Sequence, residues 1–355
     1  KATEMKAQGV DVAAEFKKII DDQTKYPIIN SSAENAAASF PGNNNVDSWP
    51  LGPLTTPTTS EFYRKKPAAT IINFLKAHND PRLTVWFAPT DVQTLVRDKG
   101  KDMVIMKDEN GVVKRYIKTY SPDIDTSLYV GLKIGLNNPD GYNNNKAEYL
   151  NEAAALNSAI YKSGAANPFV SYLAPMYRQD RNALVKSIFI SAAEVQFTLA
   201  EAAVKGWIPG AALDYYIGGI TASLEQYGIN NGDVKVYNTQ THKIVAFDKS
   251  TFVNSMTAEY NAATNKTEAI LTQKWAAAFV TTDGWFDWRR TGFPNIGKNL
   301  MNGPQGEKIP VRFMYGDNEL NYNGQNANAA IANLAPTTND QWSKMWLIQG
   351  TGKPW

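Results

Sequence analysis

The sequence predicts a mostly α-helical protein built from stacked helical hairpins of tetratricopeptide type, with a loop-rich, partly β elaboration. Three observations predict this fold class. Apolar residues recur at helical spacing in paired segments, small residues in those segments allow close helix packing, and Gly or Pro separates the members of a pair. A single hairpin cannot bury its own apolar face, so we expect further hairpins to stack on it.

The clearest hairpin covers residues 186–229. In its first helix Val195 and Leu199 lie four positions apart, which places them on one face. Gly206 tolerates the left-handed backbone that ends a helix, and a proline follows it in the turn. Small residues such as Gly219 recur on the second helix, so we expect the two helix backbones to approach closely.

A second hairpin is predicted over residues 250–281. Ser250 or Thr251 is positioned to cap its first helix, which runs to Ala262, and residues 266–281 form its second helix. After this hairpin the helical period is lost. Residues 282–355 are therefore predicted to form an aperiodic cover over the helical stack.

Strand signals precede the first hairpin, in a region otherwise rich in loops. Residues 103–118 carry two apolar arms around a turn that ends in Asn-Gly, which is typical of a β-hairpin. Alternation over residues 83–87 predicts a short strand, residues 31–60 predict a long loop, and residues 147–158 predict a short helix. Aromatic residues are frequent in these loops, so we expect residues 30–183 to face a ligand.

Charge and cysteine content exclude several kinds of site. The chain has 36 basic and 34 acidic residues, a formal net charge of +2 and no long run of like charge. This balance argues against nucleic acid or an anionic membrane surface as the main partner. The chain has no cysteine and only two histidines, and it carries no metal-ligand or nucleotide-binding motif. We therefore expect no cofactor and no metal site of a kind that a motif reveals.

Two segments carry a resemblance to a known family. They are the helix AAEVQFTLAEA and the segment WFDWRRTGFP, each of which joins unlike residues in a fixed order. With ILTQKWAAAF, IPVRFMYGDNELNYN and a near-terminal KMWL, they resemble the SusD/RagB family, in its SusD-like branch of outer-membrane lipoproteins. The resemblance runs from about Ile28 to the C-terminus. It implies a single SusD-like domain over residues 1–355 that lacks the N-terminal portion found in longer family members.

The resemblance also implies a function. Members of this family are non-enzymatic lipoproteins on the surface of Gram-negative bacteria that capture glycans or other nutrients. They sit as a lid on a TonB-dependent outer-membrane transporter. The implied partners are an oligo- or polysaccharide and this transporter, and the membrane is reached only through an N-terminal lipid anchor that this chain does not contain.

Candidate ligand-binding residues follow from the chemistry of sugars. A sugar ring has an apolar C–H face and a rim of hydroxyls, so its site needs an aromatic ring beside polar side chains. The residues that meet this description are Trp49, Tyr63, Tyr142, Tyr172, Tyr177 and Arg178. The alternative for each aromatic residue is that it closes the edge of the core.

A second group of aromatic and charged residues is interpreted as structural. In the segment 284–292 we expect Asp287 to pair with Arg289 or Arg290, and the tryptophans to pack on the helix that contains Trp275. Glu194 and Glu201 of the first hairpin are interpreted as exposed or capping acids.

Two other functions remain open at this point. A tetratricopeptide scaffold of this kind could bind a protein or peptide on its concave face. A carbohydrate-active enzyme would need a pair of carboxylates, for which Asp283 and Asp287 are the candidates.

Overall fold

The fold was obtained as a computed structural model, which describes residues 8–53, 62–97, 104–107, 111–118, 121, 124–136, 139–145, 166–295, 302–303, 306–307 and 309–349. The helices are α1 (Val12–Asp21), α2 (Ala69–Ala77), α3 (Arg82–Trp86), α4 (Ala192–Val204), α5 (Ala212–Gln226), α6 (Lys249–Ala262), α7 (Lys266–Ala277), α8 (Asp283–Thr291), α9 (Asp317–Tyr322) and α10 (Gly324–Ala332). The strands are β1 (Ala36–Ser39), β2 (Phe87–Ala88), β3 (Gln93–Val96), β4 (Val104–Lys107), β5 (Val113–Ile117), β6 (Tyr172–Leu173), β7 (Lys186–Ile190), β8 (Lys235–Asn238), β9 (Lys243–Ala246), β10 (Asn302–Gly303) and β11 (Gly306–Glu307). The helix predicted at 147–158 lies outside the described residues.

The chain divides into two compact units. The first, here called the hairpin unit, comprises Lys1–Ser31, Ala192–Thr221 and Thr257–Trp355. The second, here called the loop unit, comprises Ser32–Ser191 and Ala222–Met256. The single SusD-like domain over residues 1–355 stays a prediction.

Helices α4 and α5 form the first predicted hairpin, and α4 and the part of α5 up to Thr221 belong to the hairpin unit. Gly206 ends the preceding helix with a φ of 69°, in the left-handed region that favours glycine. A Cβ atom at Gly219 would lie 2.8 Å from the ring of Phe197, so only glycine fits at this position of α5. Helix α4 also packs against α7 of the second hairpin. The packing of one hairpin on the next is thereby confirmed, and α5 meets the ring of Phe197 from α4 at Gly219.

The turn between α6 and α7 is closed from both sides. The ammonium group of Lys266 donates to the carbonyls of Tyr260, Asn261 and Ala263 at 2.6, 2.9 and 2.9 Å, which satisfies the free carbonyls at the end of α6. The side chain of Asn265 accepts a hydrogen bond from the backbone nitrogen of Glu268 at 3.2 Å and so caps the start of α7.

Helix α1 joins the first hairpin through a small apolar core. Leu199, Ala202 and Ile208 form its buried part, and partly buried neighbours pack on it. Among these neighbours, the ring of Phe16 lies 5.7 Å from that of Trp207. Helix α1 therefore places its apolar side against the hairpin.

The prediction of an aperiodic cover after residue 282 is wrong. Residues 283–291 form α8, and α9 and α10 follow it. Gly284 allows α8 to approach α7, because a Cβ atom there would lie 2.8 Å from Cδ1 of Trp275. Trp288 of α8 forms a buried cluster with Val311 and Ile348.

The loop unit contains the predicted β-hairpin. Strands β4 and β5 pair antiparallel, with Val104 opposite Tyr116, which confirms the hairpin. Strand β3 pairs parallel with the other edge of β5, which the sequence did not predict. The unit therefore holds a three-stranded sheet in the order β3-β5-β4.

Two boundaries of the predicted elements are corrected in this unit. The first five residues of the stretch 186–229 are the strand β7, which pairs antiparallel with β1 inside the predicted long loop. The alternating residues 83–87 are mostly helical, as α3, because a helical turn buries Arg82, Leu83 and Trp86 together.

Helix α3 is held by a fully buried ion pair. Asp80 and Arg82 are both 0% exposed, and Nη2 of Arg82 donates to Oδ2 of Asp80 at 2.5 Å. Nη1 of Arg82 donates to Oγ of Ser223 at 3.1 Å, and its guanidinium lies 5.4 Å from the ring of Trp86. The pair thus satisfies its charges without water.

Candidate functional site

Three of the predicted ligand-binding residues come together in the loop unit. The rings of Tyr63 and Tyr172 lie 4.9 Å apart, and Phe62 packs edge-on against both at 5.8 and 6.2 Å. Nη1 of Arg178 donates to the Tyr63 hydroxyl at 2.7 Å, and its guanidinium lies 5.1 Å from the Phe62 ring. Tyr63 is 8% exposed, so it presents little of its ring to solvent, whereas Tyr172 and Arg178 are half-buried.

Two charged residues that the sequence analysis did not select complete this cluster. The Tyr172 hydroxyl donates to Oδ1 of Asp91 at 2.8 Å. Nζ of Lys66 lies 5.7 Å from the Tyr172 ring and donates to the carbonyls of Asn167 and Val170 at 2.9 and 3.1 Å. A lysine before a proline and an aspartate in a loop are common on protein surfaces, so no local pattern marks these two as buried partners.

Burial changes the ionisation of the cluster. It lowers the pKa of Lys66 to about 7, against the attraction of Asp91 and the two carbonyl acceptors. Burial likewise raises the pKa of Asp91, although the Tyr172 hydrogen bond and Lys66 oppose the change. Burial, followed by Asp91, raises the pKa of Tyr172, which therefore remains a neutral donor at physiological pH. The cluster offers a hydroxyl and a weakly basic amine rather than a dense fixed charge.

Trp49 and Tyr177 form a second aromatic contact. Their rings lie 6.0 Å apart, and Phe40 packs edge-on against the indole at 5.5 Å. Nε1 of Trp49 donates to the carbonyl of Tyr177 at 3.2 Å, and the backbone nitrogen of Trp49 donates to the carbonyl of Asp180 at 2.8 Å. Tyr177 is 0% exposed, so its ring supports the half-buried indole and cannot itself stack on a ligand.

Tyr142 lies on a loop that a buried arginine fixes. Arg115 is 0% exposed and donates to the carbonyls of Asn143 and Asn144 at 2.5 and 2.9 Å. Its Nε donates to Oγ1 of Thr94 at 2.7 Å, and its guanidinium stacks 3.3 Å from the centre of the Phe169 ring. The arginine therefore ties the loop to β3 and to the Phe169 ring.

The backbone of this loop is left-handed beside Tyr142. Asn143 and Asn144 have φ of 55° and 58°, a region that asparagine tolerates better than most residues. The carbonyl of Tyr142 accepts from Nδ2 of Asn167 at 2.9 Å, and the carbonyl of Asn167 accepts from Lys66. Tyr142 is thus joined through Asn167 to the cluster around Tyr172.

The arrangement suits recognition better than chemistry. Trp49, Tyr142 and Tyr172 are half-buried aromatic side chains, and amide, hydroxyl, amine and carboxylate groups lie beside them. Such a set can stack on an apolar ring face and exchange hydrogen bonds at its edge. In the described part of the chain, no cluster of three or more His, Cys, Asp or Glu side chains could hold a metal ion. Among the same residues, no helix is long and apolar enough to cross a membrane.

The charged residues of α8 have a structural role, as the sequence predicted. Nη2 of Arg290 donates to Asp287 at 2.8 Å, and Asp287 also lies 2.9 Å from Nζ of Lys274. Nη1 and Nη2 of Arg290 donate to Oε1 and Oε2 of Glu201 at 2.7 and 2.8 Å. The interpretation of Glu201 as an exposed or capping acid is therefore wrong: it is 7% exposed, because α8 covers the polar side of α4.

Known proteins resemble this chain in sequence pattern and in fold. A family model described as "Starch-binding associating with outer membrane" matches residues 4–316. The structure of a SusD homolog from Bacteroides fragilis matches with a TM-score of 0.64 at 21% identity, over 98% of this chain and 63% of that chain. A chitin-binding SusD homolog from Flavobacterium johnsoniae matches with a TM-score of 0.57 at 19% identity, over 98% of this chain and 60% of that chain. No curated protein matches.

These matches confirm the fold class and leave a difference in length. At 21% identity or less, the two structural likenesses show a common fold. The chain spans about 60% of the length of these solved relatives.

Proposed function

This chain belongs to the SusD-like family of starch-binding proteins that associate with the outer membrane, and from this membership we propose that it is a non-enzymatic glycan-capturing protein. In this proposal it takes up an oligo- or polysaccharide at the cell surface and passes it to a TonB-dependent outer-membrane transporter. A lipid anchor would hold the protein at the membrane.

The observation that carries the proposal is the fixed, half-buried indole of Trp49. Its Nε1 is bonded to the carbonyl of Tyr177, and Phe40 and Tyr177 pack against it, so its orientation is set before any ligand arrives. An indole of this kind offers the flat apolar surface on which a pyranose ring stacks. Tyr142 and Tyr172, half-buried in the same unit, are proposed to extend this surface.

The first test is retention of the purified chain on polysaccharide gels. Neutral glucans and polymers of N-acetylglucosamine are the first choices, because a starch-binding family and a chitin-binding homolog resemble this chain. We expect Trp49→Ala to weaken binding about 10- to 100-fold, which corresponds to loss of roughly 1.4–3 kcal/mol of apolar contact. Tyr142→Ala should weaken it in the same direction.

The matched control is Trp346→Ala, which removes a tryptophan that is 67% exposed in the hairpin unit. It should leave retention unchanged. Thermal unfolding of each variant must show that the fold is intact. Equal retention by Trp49→Ala, Tyr142→Ala and the unmodified chain would reject this site, and release of reducing sugar would reject the non-enzymatic assignment.

The transporter partnership has its own test. The full-length protein, tagged and solubilised with the outer membrane in mild detergent, should co-purify with a TonB-dependent transporter in near-equal amounts. The same experiment with an unrelated tagged lipoprotein gives the background. Absence of any transporter above that background would contradict the partnership while leaving glycan capture to be judged separately.

A further inference from the structure

A pocket lies in the loop unit, and none of the aromatic residues discussed above lines it. It encloses about 300 Å³ between the β8–β9 hairpin, the start of α6 and the residues that follow α2. Its floor is apolar, with Val236, Phe247 and Phe252 all buried. Asn79, Asn238 and Ser255 supply polar groups around it. The volume is at the lower end of the range for small-molecule sites.

In Asn79 and Asn238 the side-chain oxygen already accepts hydrogen bonds, which leaves the NH₂ group to bind a ligand. Oδ1 of Asn79 accepts from the backbone nitrogen of Thr239 at 3.0 Å and from its hydroxyl at 3.2 Å. Oδ1 of Asn238 accepts from the backbone nitrogens of Gln240 and Thr241 at 3.0 and 2.9 Å. These bonds fix the orientation of each side-chain amide, with its oxygen bonded to the turn between β8 and β9. Each NH₂ group has two hydrogens to donate, and neither donates to a partner within the described residues.

The charged and aromatic groups at the pocket restrict the ligand further. Nδ1 of His78 lies 2.7 Å from the carbonyl of Phe74, so this nitrogen carries a proton and donates to that carbonyl. Asp248 accepts from the backbone nitrogen of Thr251 and the hydroxyl of Ser250, both at 2.7 Å, and so caps α6 in place of the predicted Ser250 or Thr251. Its carboxylate disfavours an anionic ligand. The pocket therefore suits a neutral group with several hydrogen-bond acceptors around a compact apolar body.

We propose that this pocket binds one neutral monosaccharide unit, with a face of the ring on the apolar floor and its hydroxyl oxygens accepting from Asn79 and Asn238. The choice of a sugar as the ligand rests on the proposed glycan-capturing function, whereas the location of the pocket does not. A polysaccharide that reaches both this pocket and the aromatic residues would be bound at two places, which increases its apparent affinity.

The test uses neighbouring residues of β9 that are exposed to the same extent. Val245 is 41% exposed and lines the pocket, whereas Ile244 is 40% exposed and does not. Val245→Trp therefore places a large side chain in the pocket, and Ile244→Trp adds the same side chain at a residue that does not line it. The purified chain, labelled with ¹³C in its valine methyl groups, is titrated with the methyl glycosides of glucose and N-acetylglucosamine.

We expect saturable shifts of the Val236 and Val245 methyl signals in the unmodified chain. Val236 should shift equally in Ile244→Trp, and at least tenfold more sugar should be needed in Val245→Trp. If no pocket methyl shifts with either sugar, or if Val245→Trp binds like Ile244→Trp, the proposal is overturned. Repeating the titration in Trp49→Ala separates the two sites. Pocket shifts that persist there support this inference even when polymer retention shows that the aromatic site has failed.

Discussion

Asp80→Ala is expected to lower the free energy of unfolding by about 3–5 kcal/mol, the range for removing one partner of a buried ion pair. Nε of Arg82 donates to both carboxylate oxygens of Asp80, at 2.9 and 3.1 Å, in addition to the contact from Nη2. Both side chains are 0% exposed, so water cannot replace the lost carboxylate. The guanidinium would keep its bond to Ser223 and its contact with the Trp86 ring but lose the carboxylate that balances its charge. Urea unfolding followed by tryptophan fluorescence measures the loss.

A double variant separates the lost charge from the lost packing. Asp80→Ala combined with Arg82→Met removes the unpaired cation as well, and should recover part of the stability that the single variant loses. Glu15→Ala removes an exposed partner of Lys18, with both side chains 53% exposed, and should cost less than about 1 kcal/mol. A single variant as stable as the unmodified chain would show that Arg82 does not depend on Asp80.

Glu201→Gln is expected to lower the free energy of unfolding by about 1.5–3 kcal/mol, the range for hydrogen bonds to charged groups. It replaces a carboxylate that binds both ends of the Arg290 guanidinium by an amide that can accept at only one oxygen. Burial alone would raise the pKa of Glu201, but the hydrogen bonds and charge of Arg290 outweigh it and hold the pKa below 4.5. Burial also acts to raise the pKa of Asp287, but the charges of Lys274 and Arg290 outweigh it and lower that pKa.

The sign of the pH effect follows from these lowered pKa values. Because the unfolded chain binds protons more readily than the folded chain, the stability due to Glu201 is complete above pH 4.5 and is lost as the pH falls below it. The stability of the unmodified chain should therefore fall more steeply below that pH than that of Glu201→Gln. Glu225→Gln, an exposed change on α5, is the control and should cost less than about 0.5 kcal/mol. Parallel pH profiles for the unmodified chain and Glu201→Gln would contradict this account.

Local patterns predicted the elements that depend on nearby residues. The period of Val195 and Leu199, with Gly206 after them, gave the first hairpin, because each signal lies within one or two helical turns. The pairing of β1 with β7 joins residues about 150 positions apart, and nothing local in the short alanine-rich strand indicates its partner. Residues 83–87 alternate as a strand would. Residues 83–86 instead belong to α3, because Asp80 and the surrounding core bury the polar and apolar side chains of that helix together, and only Phe87 is in a strand.

The candidate site likewise contains residues that the sequence analysis selected and residues that only the fold reveals. Tyr63, Tyr172 and Arg178 were selected for their composition, and the fold brings them together across more than 100 positions. Lys66 and Asp91 escaped selection because burial, not sequence, distinguishes them from surface charges. The ligand-binding roles of the selected residues remain predictions.

The anchoring of the Tyr142 loop by Arg115 has a thermodynamic consequence. A flexible loop loses about 1–2 kcal/mol of backbone entropy for each residue that becomes ordered when a ligand binds. Here Asn143 and Asn144 are already held by the buried guanidinium, so that loss was incurred when the protein folded. A sugar that stacks on Tyr142 would meet a surface with its final shape, so the free energy of the contact would not be reduced by the cost of ordering Asn143 and Asn144.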